Sequence, residues 1–307
     1  MKESSSLIRD GDDEESVESS GKDAITSVIA VSMSLIVIFA SSITIIYLWK
    51  GEDGFVIERP SSALLSWQME YMDLIGANND SLTELNGEGV VVCVVDSGVD
   101  LDHPDLRGVE LRGWRDSING IEEPYDDEGH GTAMTGIIVS DGGLDGIAKG
   151  VDLLVAKAID DEGLGTDGTV SDSVDWCVQQ GADIISLSLG GSQSFGSDFF
   201  TTDELEQSVN DALDSGVFVV SSAGNDGEDD DGDVGSPGSV EDVICVGGIS
   251  RSGSIWSGSS KGDNDGRLWP NPILPRSDPD KKPEIVGPGH EVPVLMASGV
   301  SNSEWWG

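Results

Sequence analysis

The sequence predicts an α/β domain, doubly wound, with a mostly parallel sheet flanked by helices and one transmembrane helix ahead of it. Three observations carry this. Short runs rich in Val and Ile recur at residues 90–95, 153–158, 183–189, 217–221 and 243–247, apolar on both faces as strands of a helix-covered parallel sheet must be. Helical stretches fall between these runs, and strand–helix alternation is the pattern of a doubly wound sheet. Residues 24–49 contain no charge at all.

Residues 1–23 are polar, Ser-rich and acidic and are expected to form a disordered, solvated tail. The uncharged stretch 24–49, as a helix, would extend about 39 Å, enough to cross a hydrocarbon core of roughly 30 Å with some tilt. It is longer than the apolar core of a secretory signal, and no small-residue cleavage site follows it. Tyr47, Trp49 and Lys50 suit a membrane interface at one end. A buried core helix is the competing reading, but a signal anchor accounts better for an apolar circumference at the N-terminus. Arg9 and Lys22 on one side balance Lys50 and Arg59 on the other, so the positive-inside count leaves the orientation open. Residues 50–66 read as a linker and 67–307 as the α/β domain. Its clearest helix spans 202–215, with Thr201 and Glu204 in a capping-box pattern, Leu205, Val209 and Ala212 on one face, and Gly216 as the stop.

The chain has 307 residues, with 58 Asp and Glu against 16 Lys and Arg, for a formal net charge of -42. Such a surface repels phosphates, which excludes a nucleic-acid partner. Adaptation to a salty medium and simple solubility in an exported protein both explain the acid, and both stay open. Cys93, Cys177 and Cys245 have no metal-like spacing and read as buried free thiols rather than a disulfide network.

Chemistry in a parallel sheet gathers at the carboxyl ends of strands. The run 90–95 ends in Asp96, followed by Ser97-Gly98. Asp127-Glu128-Gly129-His130-Gly131-Thr132 precedes the apolar helical segment 133–139, and glycines on both sides of His130 let another chain pass close to its ring. The run 217–221 leads through Ser222 into Ala223-Gly224-Asn225, an amide donor at a third strand end. Taken singly, Asp96 reads as a turn cap, His130 as a satisfied core histidine and Asn225 as a turn residue. Their joint occurrence in this order demotes those readings.

Val91-Val92-Cys93-Val94-Val95-Asp96-Ser97-Gly98, followed by His103-Pro104-Asp105-Leu106, resembles the aspartate motif of the subtilisin-like serine proteases (subtilases). Gly129-His130-Gly131-Thr132 resembles their histidine motif, Ser186-Leu187-Ser188-Leu189-Gly190-Gly191 their substrate strand, and Ser222-Ala223-Gly224-Asn225 their oxyanion segment. Lys282-Pro283-Glu284-Ile285-Val286-Gly287-Pro288-Gly289 resembles the segment before the nucleophile. The resemblance covers residues 67–307 and implies a subtilisin-like fold and hydrolysis of polypeptide substrates. In that scheme Asp96 orients His130, His130 is the general base and then acid, Asn225 donates to the oxyanion, and Ser188, Leu189 and Gly190 pair with the substrate backbone.

The pattern also departs from the family. The expected Gly-Thr-Ser nucleophile motif is absent, and the chain ends 18 residues after Gly289. Ser301, in Gly299-Val300-Ser301, is the local candidate, but the charge and bulk of Glu304, Trp305 and Trp306 do not suit the start of a buried helix. The serine is therefore expected past Gly307, the domain to be C-terminally incomplete with apolar faces left uncovered, and this chain alone to be inactive. A catalytically dead, peptide-binding subtilase fold is the alternative. Ala133 stands where the family often carries a second His, and the short connector leaves no room for a folding propeptide. No cofactor is required; calcium enters only as a structural ion. Asp105 matches a calcium-ligating position by resemblance, the 141–145 loop is short for a calcium loop, and residues 228–233 form an acidic cluster of the type hard cations favour. The placement implied is a membrane anchor with the catalytic domain outside the cytoplasm.

Overall fold

The computed structural model describes residues 12–50, 59–79, 82, 85–189, 204–227, 234–262, 281–301 and 303–307. Two compact units divide at Glu58/Arg59.

The first unit holds one helix, α1 (Asp12–Lys50). Within it Thr26–Ile45 is long and apolar enough to cross a membrane by length and composition, and none of it is buried. Ser34, Ser42 and Thr44 donate their hydroxyls to the carbonyls of Ala30, Ile38 and Ala40, so these three polar side chains are satisfied within the helix. The helix backbone includes residues 12–23 of the stretch expected as a tail, and residues 1–11 lie outside the described residues. A helix already nucleated in the apolar stretch propagates cheaply, and acidic residues in its first turns favour the positive end of its dipole.

The second unit opens with α2 (Ser62–Leu74), inside the stretch read as linker. The Ser61 hydroxyl caps it by accepting from the Leu64 amide. Leu64 packs into the core, Trp67 lies against the Arg251 guanidinium, and buried Tyr71 donates its hydroxyl to the His290 carbonyl. These three share one helical face, which ties α2 to the domain and shortens the connector.

The strands are β1 (Val91–Asp96), β2 (Leu111–Asp116), β3 (Asp152–Lys157), β4 (Ile184–Leu187), β5 (Phe218–Ser222), β6 (Ile244–Ile249), β7 (Ile285–Pro288), and the short β8 (Val294–Leu295) and β9 (Trp305–Trp306). The first seven form one parallel sheet in the order β2-β3-β1-β4-β5-β6-β7, and β8 pairs antiparallel with β9. The helices are α3 (His130–Val139), α4 (Asp167–Gln179) and α5 (Glu204–Asp214), with a 3-10 turn at Pro104–Leu106. The five expected strands are all present within two residues of the expected bounds. Leu205, Val209 and Ala212 of α5 are buried as their shared face implies, while the Thr201 cap lies outside the described residues.

Val91, Cys93 and Val95 face α4 and α5 in one core cluster; Val94, with Leu153 and Val155, faces α3 and the β8–β9 hairpin in another. Register carries the second face on to Ile184, Phe218, Val220, Ile244, Val246 and Ile285. None of those six is buried, and Phe218 and Ile285 are 62% and 52% exposed. Among the described residues, this face of the sheet from β4 to β7 is less covered than the other.

The expectation of three free thiols fails. Cys93 of β1 and Cys177 of α4 form a disulfide, both fully buried, and only Cys245 is free. Strand and helix present the two sulfurs to the same core cluster, a proximity that their separation of 84 residues conceals in the sequence.

Candidate active site

Asp96 ends the central strand β1 and is 2% exposed. His130 is the first residue of α3. Its Nδ1 lies 2.8 Å from Asp96 Oδ1 and 3.0 Å from Oδ2, and the side chain is 45% exposed. Asp96 Oδ1 also accepts from the Ser97 amide at 2.7 Å, which fixes the carboxylate.

The first turn of α3 explains how the ring is aimed. Helix N-termini leave their first N–H groups without intrahelical partners, and here three side chains answer them. Glu128 accepts from the His130 amide, Ser97 Oγ from Gly131, and Asp126 from Thr132. Asp126 is buried and additionally accepts from the Gly129 amide and from the Ser97 and Thr132 hydroxyls. The chain must pass very close here: a Cβ on Gly131 would meet the Gly98 carbonyl oxygen at 2.2 Å. Gly129, at φ +104°, makes the turn into the helix.

Hydrogen bonding to Asp96 raises the His130 pKa above its ordinary 6.5; burial opposes this, and the charges of Asp96, Glu128 and Asp126 reinforce it. A raised native pKa means that the imidazolium contributes stability fully below the unfolded value and loses it as pH rises through the native one. Unfolding free energy should therefore fall as pH climbs above 6.5. Denaturant midpoints at roughly pH 6 to 8 would record it, and His130→Gln should flatten that slope.

Ser188 and Leu189 leave the sheet directly after β4, which lies between β1 and β5. Asn225 is exposed and sits three residues past the end of β5 in a turn held by Gly224 at φ +104°. The Ser260 amide donates to the Gly224 carbonyl and Asp226 donates to Ser260 Oγ. Asp96 and Asn225 thus rise from the same sheet edge on strands about 10 Å apart, with the exit of β4 between them. Gly190 lies outside the described residues. Ser301 forms a bridge with Ser298; nearby, Val300 lies over Gly129, in a cleft of about 520 Å³ whose other walls include Glu128 and Asp161.

The structure thus brings a carboxylate-bound histidine to the carboxyl edge of a doubly wound parallel sheet. A family model described as the subtilase family matches residues 87–305. The chain belongs to the subtilase family. It is 35% identical over 225 residues to the serine protease AprX of Bacillus subtilis (strain 168), covering 69% of this chain and 49% of that protein. It is also 35% identical over 187 residues to the intracellular serine protease of Paenibacillus polymyxa, covering 58% and 55%. The crystal structure of a cold adapted subtilisin-like serine proteinase matches with a TM-score of 0.55 at 27% identity, covering 69% of this chain and 67% of that one. The chain spans about half the length of the curated relatives it matches.

The Asp105 carboxylate, a calcium ligand by resemblance, is engaged by donors of the protein itself. Its carboxylate accepts from the Gly143 and Leu144 amides at 2.6 and 2.9 Å and from the Trp305 indole at 2.6 Å. Converging N–H groups stabilise an anion and compete with a cation for its lone pairs. Among the described residues no cluster of three or more His, Cys, Asp or Glu could hold a metal, and residues 228–233 lie outside them. Trp305→Phe should cost about 1–3 kcal/mol in denaturant unfolding by stripping a buried acceptor of its donor. An unchanged midpoint, or one raised by added calcium in the native chain, would contradict this account.

Asp126, Ser97 and Thr132 were not singled out from sequence. Asp126 lies in an acidic run that reads as surface, although an Asp three residues before a Gly-His helix start carries the signal of a capping carboxylate.

Proposed function

We propose that this chain is the anchored body of a serine endopeptidase that hydrolyses peptide bonds through an Asp-His-Ser triad, its serine carried by polypeptide following residue 307. The Asp96–His130 hydrogen bond is the observation that carries this reading. Asp96 holds the proton on Nδ1, so Nε2 presents its lone pair to a serine hydroxyl, takes its proton during attack and returns it to the leaving amine. Asn225 donates to the oxyanion, and Ser188, Leu189 and Gly190 pair with the substrate main chain. The less covered face of the sheet between β4 and β7 is the surface that a continuing chain would cover.

Residues 24–49 act as the membrane anchor in this reading, with the catalytic domain on the extracytoplasmic side. The Cys93–Cys177 disulfide supports that side, since such bonds form and persist in oxidising compartments. The deciding experiment expresses the reading frame through its stop codon in membranes and treats it with a fluorophosphonate. The reagent should label one serine beyond Gly307, and His130→Ala should abolish labelling. An unreactive full product that still binds peptides would replace the protease reading with the peptide-binding one.

A further inference from the structure

Lys157 ends β3, directly paired with Asp96 of β1 and Asp116 of β2, and its side chain is fully buried. Burying an ammonium is costly unless every donor is answered. Here three donors meet three acceptors: the Ser97 carbonyl at 2.6 Å, Asp127 Oδ1 at 2.6 Å and the Ile159 carbonyl at 2.8 Å. The Tyr125 ring lies 5.0 Å away as a cation–π partner.

The acceptors belong to three segments that meet at the dyad. Ser97 follows Asp96, Asp127 lies in the loop entering α3, and Ile159 follows β3, where the amides of Ala158 and Ile159 both donate to the Asp96 carbonyl. The ammonium holds the Ser97 carbonyl, the Gly131 amide in the first turn of α3 donates to Ser97 Oγ, and Gly131 passes close against Gly98. We propose that Lys157 is a positioning residue that sets the Asp96–His130 spacing by clamping these segments with one buried charge. This rests on the dyad reading above.

The test uses the full chain in detergent micelles. Only three histidines are present, so side-chain NMR can follow each through a pH titration, with His130→Gln giving the assignment. Wild type should show His130 titrating above an ordinary imidazole, with a downfield Nδ1–H signal. In Lys157→Met the midpoint should fall towards the ordinary value and the downfield signal should be lost. A midpoint that rises means that the lysine acts only as a nearby charge, and one that stays put means that it does not position the dyad; either result overturns the proposal. If wild-type His130 itself titrates as a free imidazole, the dyad reading has failed instead. Should Lys157→Met not fold, Asp127→Ala leaves the ammonium only the Ser97 and Ile159 carbonyls. The Nδ1–H should then persist but exchange faster with water, and an unchanged exchange rate refutes the clamp.

Discussion

Asp96→Asn is expected to lower kcat for peptide hydrolysis roughly 10⁴-fold, a magnitude carried over from characterised Ser-His-Asp triads, with KM nearly unchanged. The chemistry of the site explains the sign. Asp96 Oδ1 accepts from the Ser97 amide, so an asparagine will keep its oxygen there and turn its NH2 towards His130 Nδ1. Facing a donor, Nδ1 must give up its proton, and the hydrogen moves to Nε2. The nitrogen that should accept from the nucleophile then cannot. Steady-state kinetics on the serine-bearing product would show the split between kcat and KM, and the raised titration of His130 should disappear in parallel. A variant retaining near wild-type kcat would mean that the observed pair is not the catalytic one.

The second large effect concerns stability. Removing the Cys93–Cys177 bridge as Cys93→Ala/Cys177→Ala should lower the unfolding free energy by about 4 kcal/mol, because the bridge closes a long loop in the unfolded chain. Its separation of 84 residues spans β2, α3, β3 and most of α4. Both sulfurs are fully buried, so reductant alone should leave the native protein untouched and act only when denaturant opens it. Thiol titration of the unreduced protein in denaturant should find one group, Cys245. That thiol is itself unreactive in the native state, since burial pushes its pKa up to about 12. Loss of less than about 1 kcal/mol in the double variant, or three thiols in the titration, would remove the bridge from the account.

Legibility followed burial and locality. The five central strands are apolar on both faces and stand out in the sequence, and the ends of β1 and β5 bring Asp96 and Asn225 to the expected sheet edge. β2 escapes because Leu111-Arg112-Gly113-Trp114-Arg115-Asp116 is an edge strand with no buried residue, and its polar side chains hide the pattern. β7, the other edge, is only four residues long and ends in Gly287-Pro288, too short an apolar run to stand out. What sequence pattern missed most is long range: the disulfide, the Asp105–Trp305 contact across 200 residues and the Lys157 clamp. Each joins side chains whose nearness is created by the sheet. The surroundings of Asp105 were hidden for a related reason. A motif match identifies a carboxylate, but its partners come from the 141–145 loop and the β8–β9 hairpin.

The opening turn of α3 has a consequence for the order in which the Asp96–His130 pair forms. Glu128 and Asp126 answer two of its amides from the preceding loop, but Ser97 answers another from the far end of β1. A nascent helix is costly to nucleate and lacks that distant partner until the sheet has docked. Imidazole and carboxylate therefore come into register late, after the surrounding body has condensed. In the endopeptidase proposed above, such a delay would keep the pair apart until the fold around it is in place.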